Sequence, residues 1–170
     1  MNDDREDRVT AAWAAFEAYP RERAADFRAV VDALVDALVA ALPPDSPLGP
    51  FGRACAWDST GRSDRAVPLY REALDRGLAG YPGRRARIQL AGSLRDTGRA
   101  EEGVAPLTPE LDGPSDELDD AVRAVLALCP SSLGRDREGL ALVLGAPAPH
   151  LPRHQRSTAN YARALTHPAG

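Results

Sequence analysis

Lysine is absent from these 170 residues: all 21 basic residues are arginine. Arginine supplies planar, forked donors suited to interfaces, but 25 acidic residues outnumber it and leave a formal net charge of −4. A duplex-binding domain is normally basic, so nucleic acid is not an expected partner. Aromatic residues make up 5% of the chain and β-branched runs are few, while alanine is abundant. That composition favours helices over sheets. The two cysteines, Cys55 and Cys129, are far apart and form no pairing pattern, which fits a reducing compartment rather than a disulfide framework. The opening run Met1-Asn2-Asp3-Asp4-Arg5-Glu6-Asp7 is acidic where a secretory signal needs positive charge. No apolar stretch exceeds the six residues of Ala37 to Leu42, too short to cross a bilayer. The expectation is a soluble cytoplasmic protein with no membrane contact.

What is present is a phrase repeated three times. Ser59-Thr60-Gly61-Arg62, Asp96-Thr97-Gly98-Arg99 and Ser132-Leu133-Gly134-Arg135 each precede a charged, helix-forming stretch. The Gly-Arg pairs start at 61, 98 and 134, so the spacings are 37 and 36 residues. A period of that size marks stacked units that cannot bury their apolar faces alone. Such arrays present extended binding surfaces.

Residues 5–19 read as a first helix, with Val9, Trp13 and Phe16 on one stripe, broken at Tyr19-Pro20. Phe27, Val31, Leu34, Leu38 and Leu42 then recur every three or four residues, an amphipathic helix over about 22–42 that stops at Pro43-Pro44. These two form an N-terminal pair, 1–44. Three helix–turn–helix units follow within 45–150: 48–78, 84–111 and 115–147. Their expected helices span 48–59 and 64–76, 84–96 and 100–111, and 115–133 and 136–145. A helix from Pro152 to Thr166 is expected to cap the array within 151–170, the whole forming one domain. Gly61, Gly98 and Gly134 stand where a helix C-terminus favours left-handed backbone, and acidic residues begin the next helix in accord with its dipole.

The positions that match inside the units are Ala54, Trp57, Ala66, Tyr70 and Ala73 in the first. In the second they are Leu90, Ala91, Leu94 and Leu107, with Gly103 in the small-residue slot. In the third they are Leu126, Ala127 and Ala146, with Gly139 in that slot. On these residues the chain resembles the tetratricopeptide repeat over about 48–147. The resemblance implies an all-α fold, a right-handed superhelix of antiparallel helix pairs with seven to nine helices. It also implies a non-catalytic scaffold that binds a peptide or partner helix in its concave groove. The layout is also similar to a small bacterial tetratricopeptide family of unknown function, which adds the expectation of a homodimer. The Phe27–Leu42 stripe either packs on the first unit or pairs with its copy in a two-fold dimer.

Some residues depart from the family pattern. Arg53 occupies a buried aliphatic position, so either the helix is rotated or the side chain snorkels outward. Pro130 is expected to bend or split its helix, and Pro106 and Pro109 to compromise theirs. Gly103 and Gly139 each give up about 0.8–1.0 kcal/mol of helix propensity relative to alanine. Loose backbone is therefore expected around 103–111 and 128–133.

Chemistry-bearing clusters are sparse. His150 and His154 are four apart, but Leu151-Pro152-Arg153 places a helix start between them, and His167 is remote. They read as solvent or cap histidines with no metal between them. Asp116, Glu117, Asp119 and Asp120 follow Pro114-Ser115 and read as an N-cap and acidic first turn. Cys55 and Cys129 fall in apolar helices and read as small hydrophobes. No phosphate loop or nucleophile elbow is present, so neither an enzyme activity nor a cofactor is expected. The functional candidates come from the resemblance, which turns Arg85, Ile88, Gly92 and Arg95 toward the concave surface, within about 80° of one another at 100° per residue. Gln89 borders them. Phe51, Cys55 and Asp58 join from the first unit, and Ala124, Leu128 and Ser131 from the third. Arg85 and Arg95 either fork onto a partner's carboxylate or are ordinary solvated charges. The alternative function is a sensor that holds a small ligand or peptide in an apolar pocket near 103–133.

Overall fold

The computed structural model describes residues 42–167 and, ahead of them, Ala29, Asp32, Ala33, Val35, Asp36 and Val39. The helix expected over 5–19 lies outside the described residues, as does most of the one expected over 22–42. Among the described residues there are no strands. Seven α-helices run from α1 (Leu48–Ser59), α2 (Ser63–Asp75), α3 (Gly80–Asp96) and α4 (Ala100–Leu107) to α5 (Asp119–Ser132), α6 (Asp136–Gly145) and α7 (Gln155–Thr166). Two 3₁₀ turns, Thr108–Leu111 and Ala148–His150, connect them. The pairs α1–α2, α3–α4 and α5–α6 each pack internally, and α3 and α5 each also rest on both helices of the preceding pair. This is the all-α superhelix of helix pairs that the resemblance implies. The odd-numbered helices α1, α3 and α5 form one layer of the stack, and α7 packs on α6.

The repeated Gly-Arg phrase is the device that joins the two helices of each unit. Gly61, Gly98 and Gly134 have φ of 73°, 78° and 75°, a region that glycine enters without steric cost. The following arginine N–H reaches five residues back: Arg62 to Trp57 O at 2.9 Å, Arg99 to Leu94 O at 2.8 Å, Arg135 to Pro130 O at 2.9 Å. Each glycine N–H meanwhile donates three residues back, as Gly61 does to Asp58 O at 2.9 Å. This double closure satisfies carbonyls the helix end would otherwise orphan. The same arginine then pairs with an acidic residue in the first turn of the next helix. The partners are Asp64 at 3.1 Å, Glu102 at 2.6 Å and Glu138 at 2.7 Å.

Helix boundaries differ from the sequence expectation at the starts of α3, α5 and α7, the last beginning at Gln155 rather than Pro152, and at the end of α4. α3 begins at Gly80 rather than Arg84, because Pro82 falls in the first turn, where an N–H has no intrahelical acceptor. α5 begins at Asp119 rather than Ser115. There the Ser115 hydroxyl donates to Asp119 Oδ2 at 2.6 Å and the Leu118 N–H to Asp116 Oδ1 at 2.7 Å, so the acidic stretch folds as a loop. Around Pro106 and Pro109 the chain does leave the α-helix and tightens into the 3₁₀ turn. Pro130, by contrast, does not split α5, which continues to Ser132. It lies in the last turn, where the ring removes a single hydrogen bond and its own carbonyl accepts from Leu133 at 3.0 Å and from Arg135.

Val35 is buried, and Gly52 and Gly49 of α1 face Val35 and Val39 respectively. Val35 and Val39 thus pack on the first unit, whereas of the stripe Phe27, Val31, Leu34, Leu38 and Leu42 only Leu42 lies among the described residues. Arg53 snorkels from α1 to Asp36 at 2.6 Å, so its departure from the pattern is solved by an exposed ion pair.

Candidate functional site

The layer formed by α1, α3 and α5 holds every residue expected in the groove. Between α1 and α3 those side chains close on one another. The Arg85 guanidinium stacks 5.7 Å from the centre of the Phe51 ring. Cys55 Sγ donates to Gln89 Oε1 at 3.5 Å. Asp58 accepts from Tyr70 Oη at 3.2 Å and from Ser93 Oγ at 2.7 Å. Burial pushes the Cys55 thiol up to about 11, leaving it protonated and unreactive. Burial also raises the Tyr70 hydroxyl and the Asp58 carboxyl, the latter against the pull of its bonds from Ser93 and Tyr70.

Several expected groove residues are therefore stacking residues. Phe51, Cys55 and Ile88 are buried, and Asp58 is committed to two hydrogen bonds. The cause is that α3 covers α1, and α5 covers α3. Arg85, Gln89, Gly92 and Arg95 remain half-exposed along α3, with Arg95 paired to its neighbour Asp96. Leu128, on α5, is 46% exposed, and Ala124 and Ser131 are exposed beside it. A Cβ added at Gly92 meets no atom within 4 Å. Bare helix backbone thus faces open space between Arg85 and Gln89 on one side and Arg95 on the other.

The residues expected to carry the repeat are mostly buried. Ala54, Ala66, Tyr70, Ala73, Leu90, Ala91, Leu94, Leu126 and Ala127 are all buried. Trp57 is half-buried beneath the guanidinium groups of Arg65 at 4.7 Å and Arg62 at 5.9 Å.

A buried arginine went unread in the sequence. Arg84 is 6% exposed and ion-pairs with Asp119 at 2.8 Å, with Glu110 at 3.3 Å and with Asp116. It also donates to the carbonyls of Glu110 at 3.2 Å and Pro114 at 3.4 Å. It ties α3 to the whole connection between α4 and α5. The Ser115 hydroxyl and Arg84 together hold the Asp119 carboxyl down at about 2.

His154 has φ of 68° and α7 starts at Gln155, so His150 and His154 do not share a helix. Among the described residues no three His, Cys, Asp or Glu side chains converge as a metal site, and no helix is long and apolar enough to cross a membrane. One open hollow of about 510 Å³ lies beside α2, between Pro68, Arg71, Arg76 and Arg99. Another of about 350 Å³ lies between α6 and α7, lined by Ala141, Gly145, Ala159 and Ala162. Neither is lined by residues 103–133, where a sensor pocket was expected.

A family model described as tetratrico peptide repeat matches residues 47–165, from the start of α1 into α7. The chain belongs to the tetratricopeptide repeat family. No characterised protein and no solved structure gives a significant match. The matched span brings α7 into the tetratricopeptide array, beyond the end at about 147 that the sequence motifs marked.

Proposed function

We propose that this tetratricopeptide repeat chain is a non-catalytic protein–protein interaction module. It binds an acidic peptide along the exposed face of α3, in a cytoplasmic setting that suits its two buried, free cysteines. The supporting observation is the open strip at Gly92. A peptide backbone can approach the helix there, while Arg85 and Arg95 offer forked donors on either side of it. Arg85 is held in place by the Phe51 ring beneath it, so little rotamer entropy is lost on binding.

The test is selection of a displayed peptide library on the wild-type protein, followed by affinity measurement on two variants. Gly92→Trp fills the open strip, and Arg85→Glu/Arg95→Glu reverses the donors. Both sit on half-exposed positions, so circular dichroism and melting should match wild type. The expected result is enrichment of acidic peptides whose binding falls at least tenfold in both variants. Peptides that bind the variants as tightly as wild type would place recognition on another surface.

A further inference from the structure

Corresponding positions in the three units are not buried alike. Adding the repeat spacing of 37 and then 36 residues takes Tyr70 to Leu107 and Val143, Val67 to Val104 and Leu140, and Cys55 to Gly92 and Leu128. Tyr70 and Leu107 are fully buried, Val67 is 4% exposed and Cys55 2%, while Val104 and Gly92 are half-exposed. In the third unit the same positions lie open: Val143 and Leu140 are each 48% exposed and Leu128 46%. The difference is the next helix. α3 covers the first unit and α5 the second, whereas α7 packs on α6 beside Ala141 and Gly145 and leaves these three side chains uncovered.

The covering helices share a signature. α3 reaches the first unit with Ala86 and Leu90 and with Ser93 on Asp58. α5 reaches the second with Val122 and Leu126, while Cys129 Sγ lies against Gly103. Both sets are spaced i, i+4, i+7 with alanine at i+5, Ala91 and Ala127. Residues 5–19, outside the described residues, contain the same set: Val9, Trp13 and Phe16, with Ala14 at i+5.

We propose that the uncovered face of the α5–α6 pair is the docking site for residues 5–19 of a second copy of this chain. The segment fills the place that a further helix of the layer would take. The contact continues the interface that α3 and α5 already make within the chain. It joins apolar side chains on both sides, so no ion is desolvated to form it. It is heterologous, N-terminal segment to C-terminal face, and not two-fold.

The experiment is sedimentation equilibrium on the full chain and two variants. Leu128→Glu/Val143→Glu disables the face, and Trp13→Asp disables the segment. Leu128 and Val143 are already half in water, so circular dichroism should show the first variant folded. Wild type is expected to associate with rising concentration. Each variant alone should associate at least tenfold more weakly. An equimolar mixture should form a one-to-one pair, because each variant keeps the end the other has lost. A monomeric wild type, a Trp13→Asp chain that still self-associates, or a mixture that stays monomeric overturns the proposal.

Discussion

A methyl group on residue 103 would lie 2.9 Å from the carbonyl oxygen of Ala91 and 3.0 Å from Cys129 Sγ. Gly103 is where α4 crosses close over α3, and a methyl at residue 139 would likewise lie 2.6 Å from Ala127 O. In an isolated helix Gly→Ala gains about 1 kcal/mol. Here a backbone carbonyl that cannot step aside opposes it. Gly103→Ala and Gly139→Ala are expected to destabilise by about 1–3 kcal/mol, Gly139→Ala the more. Gly92→Ala, with open space around it, is expected to stabilise by about 0.8–1 kcal/mol. Urea unfolding at constant m-value reads all three, and a neutral Gly139→Ala would contradict the close crossing.

The buried guanidinium of Arg84 is expected to be the most costly single truncation. Arg84→Met leaves Glu110, Asp116 and Asp119 facing one another without their common cation. The expected loss is about 3 kcal/mol, at the low end for a broken buried pair because the carboxylates keep some access to water. Arg84→Lys should recover part of it, since an ammonium has no fork with which to serve three carboxylates. Hydrogen exchange should show the amides of 108–118 losing protection first. Unchanged protection there would mean that Arg84 does not hold this connection.

What was legible in the sequence was local. The Gly-Arg turn depends on contacts three to five residues apart, so three copies of the phrase announced three equal turns. The small-residue slots followed because Ala66, Gly103 and Gly139 recur at the repeat spacing. Arg84 was illegible, since its acidic partners lie 26 to 35 residues away across a loop whose path the sequence does not state. Pro130 was misjudged for a related reason: the cost of a proline depends on which turn it occupies. Tyr70 and Val143 look equivalent in the pattern, and the packing of α3 over the first unit separates their burial.

Acid should unfold the protein through two carboxylates in particular. Asp119 and Glu102 both titrate at about 2 in the fold, against ordinary values of 3.8 and 4.5. Arg99 and then Arg71 lower Glu102; Ser115 and then Arg84 lower Asp119. A carboxyl depressed by folding contributes stability above its unfolded pKa and loses it as pH falls through the folded one. Melting temperature is therefore expected to drop between about pH 4 and pH 2. Asp58, raised by burial, acts in the opposite sense, since its protonation favours the fold. The Asp119→Asn/Glu102→Gln chain should melt lower than wild type at neutral pH and show a shallower acid slope. An unchanged slope would exclude these two groups.

Asp58 and Arg85 stood together as groove residues in the sequence, and two measurements should separate them. Asp58→Ala leaves the Tyr70 hydroxyl and the Ser93 hydroxyl without their acceptor inside the stack, an expected loss of about 1–3 kcal/mol. Asp58→Asn should lose less, because its amide oxygen still accepts from Ser93 and no charge is desolvated. A double-mutant cycle of Asp58→Ala with Ser93→Ala should give a coupling of about 0.5–3 kcal/mol, as residues in direct contact do. Arg85→Glu should show the reverse profile, with little change in stability and a loss of peptide affinity. If Asp58→Asn weakens a selected peptide as much as Arg85→Glu while leaving stability untouched, then Asp58 faces the ligand after all. A stability loss with affinity intact assigns it to the joint between the first two units.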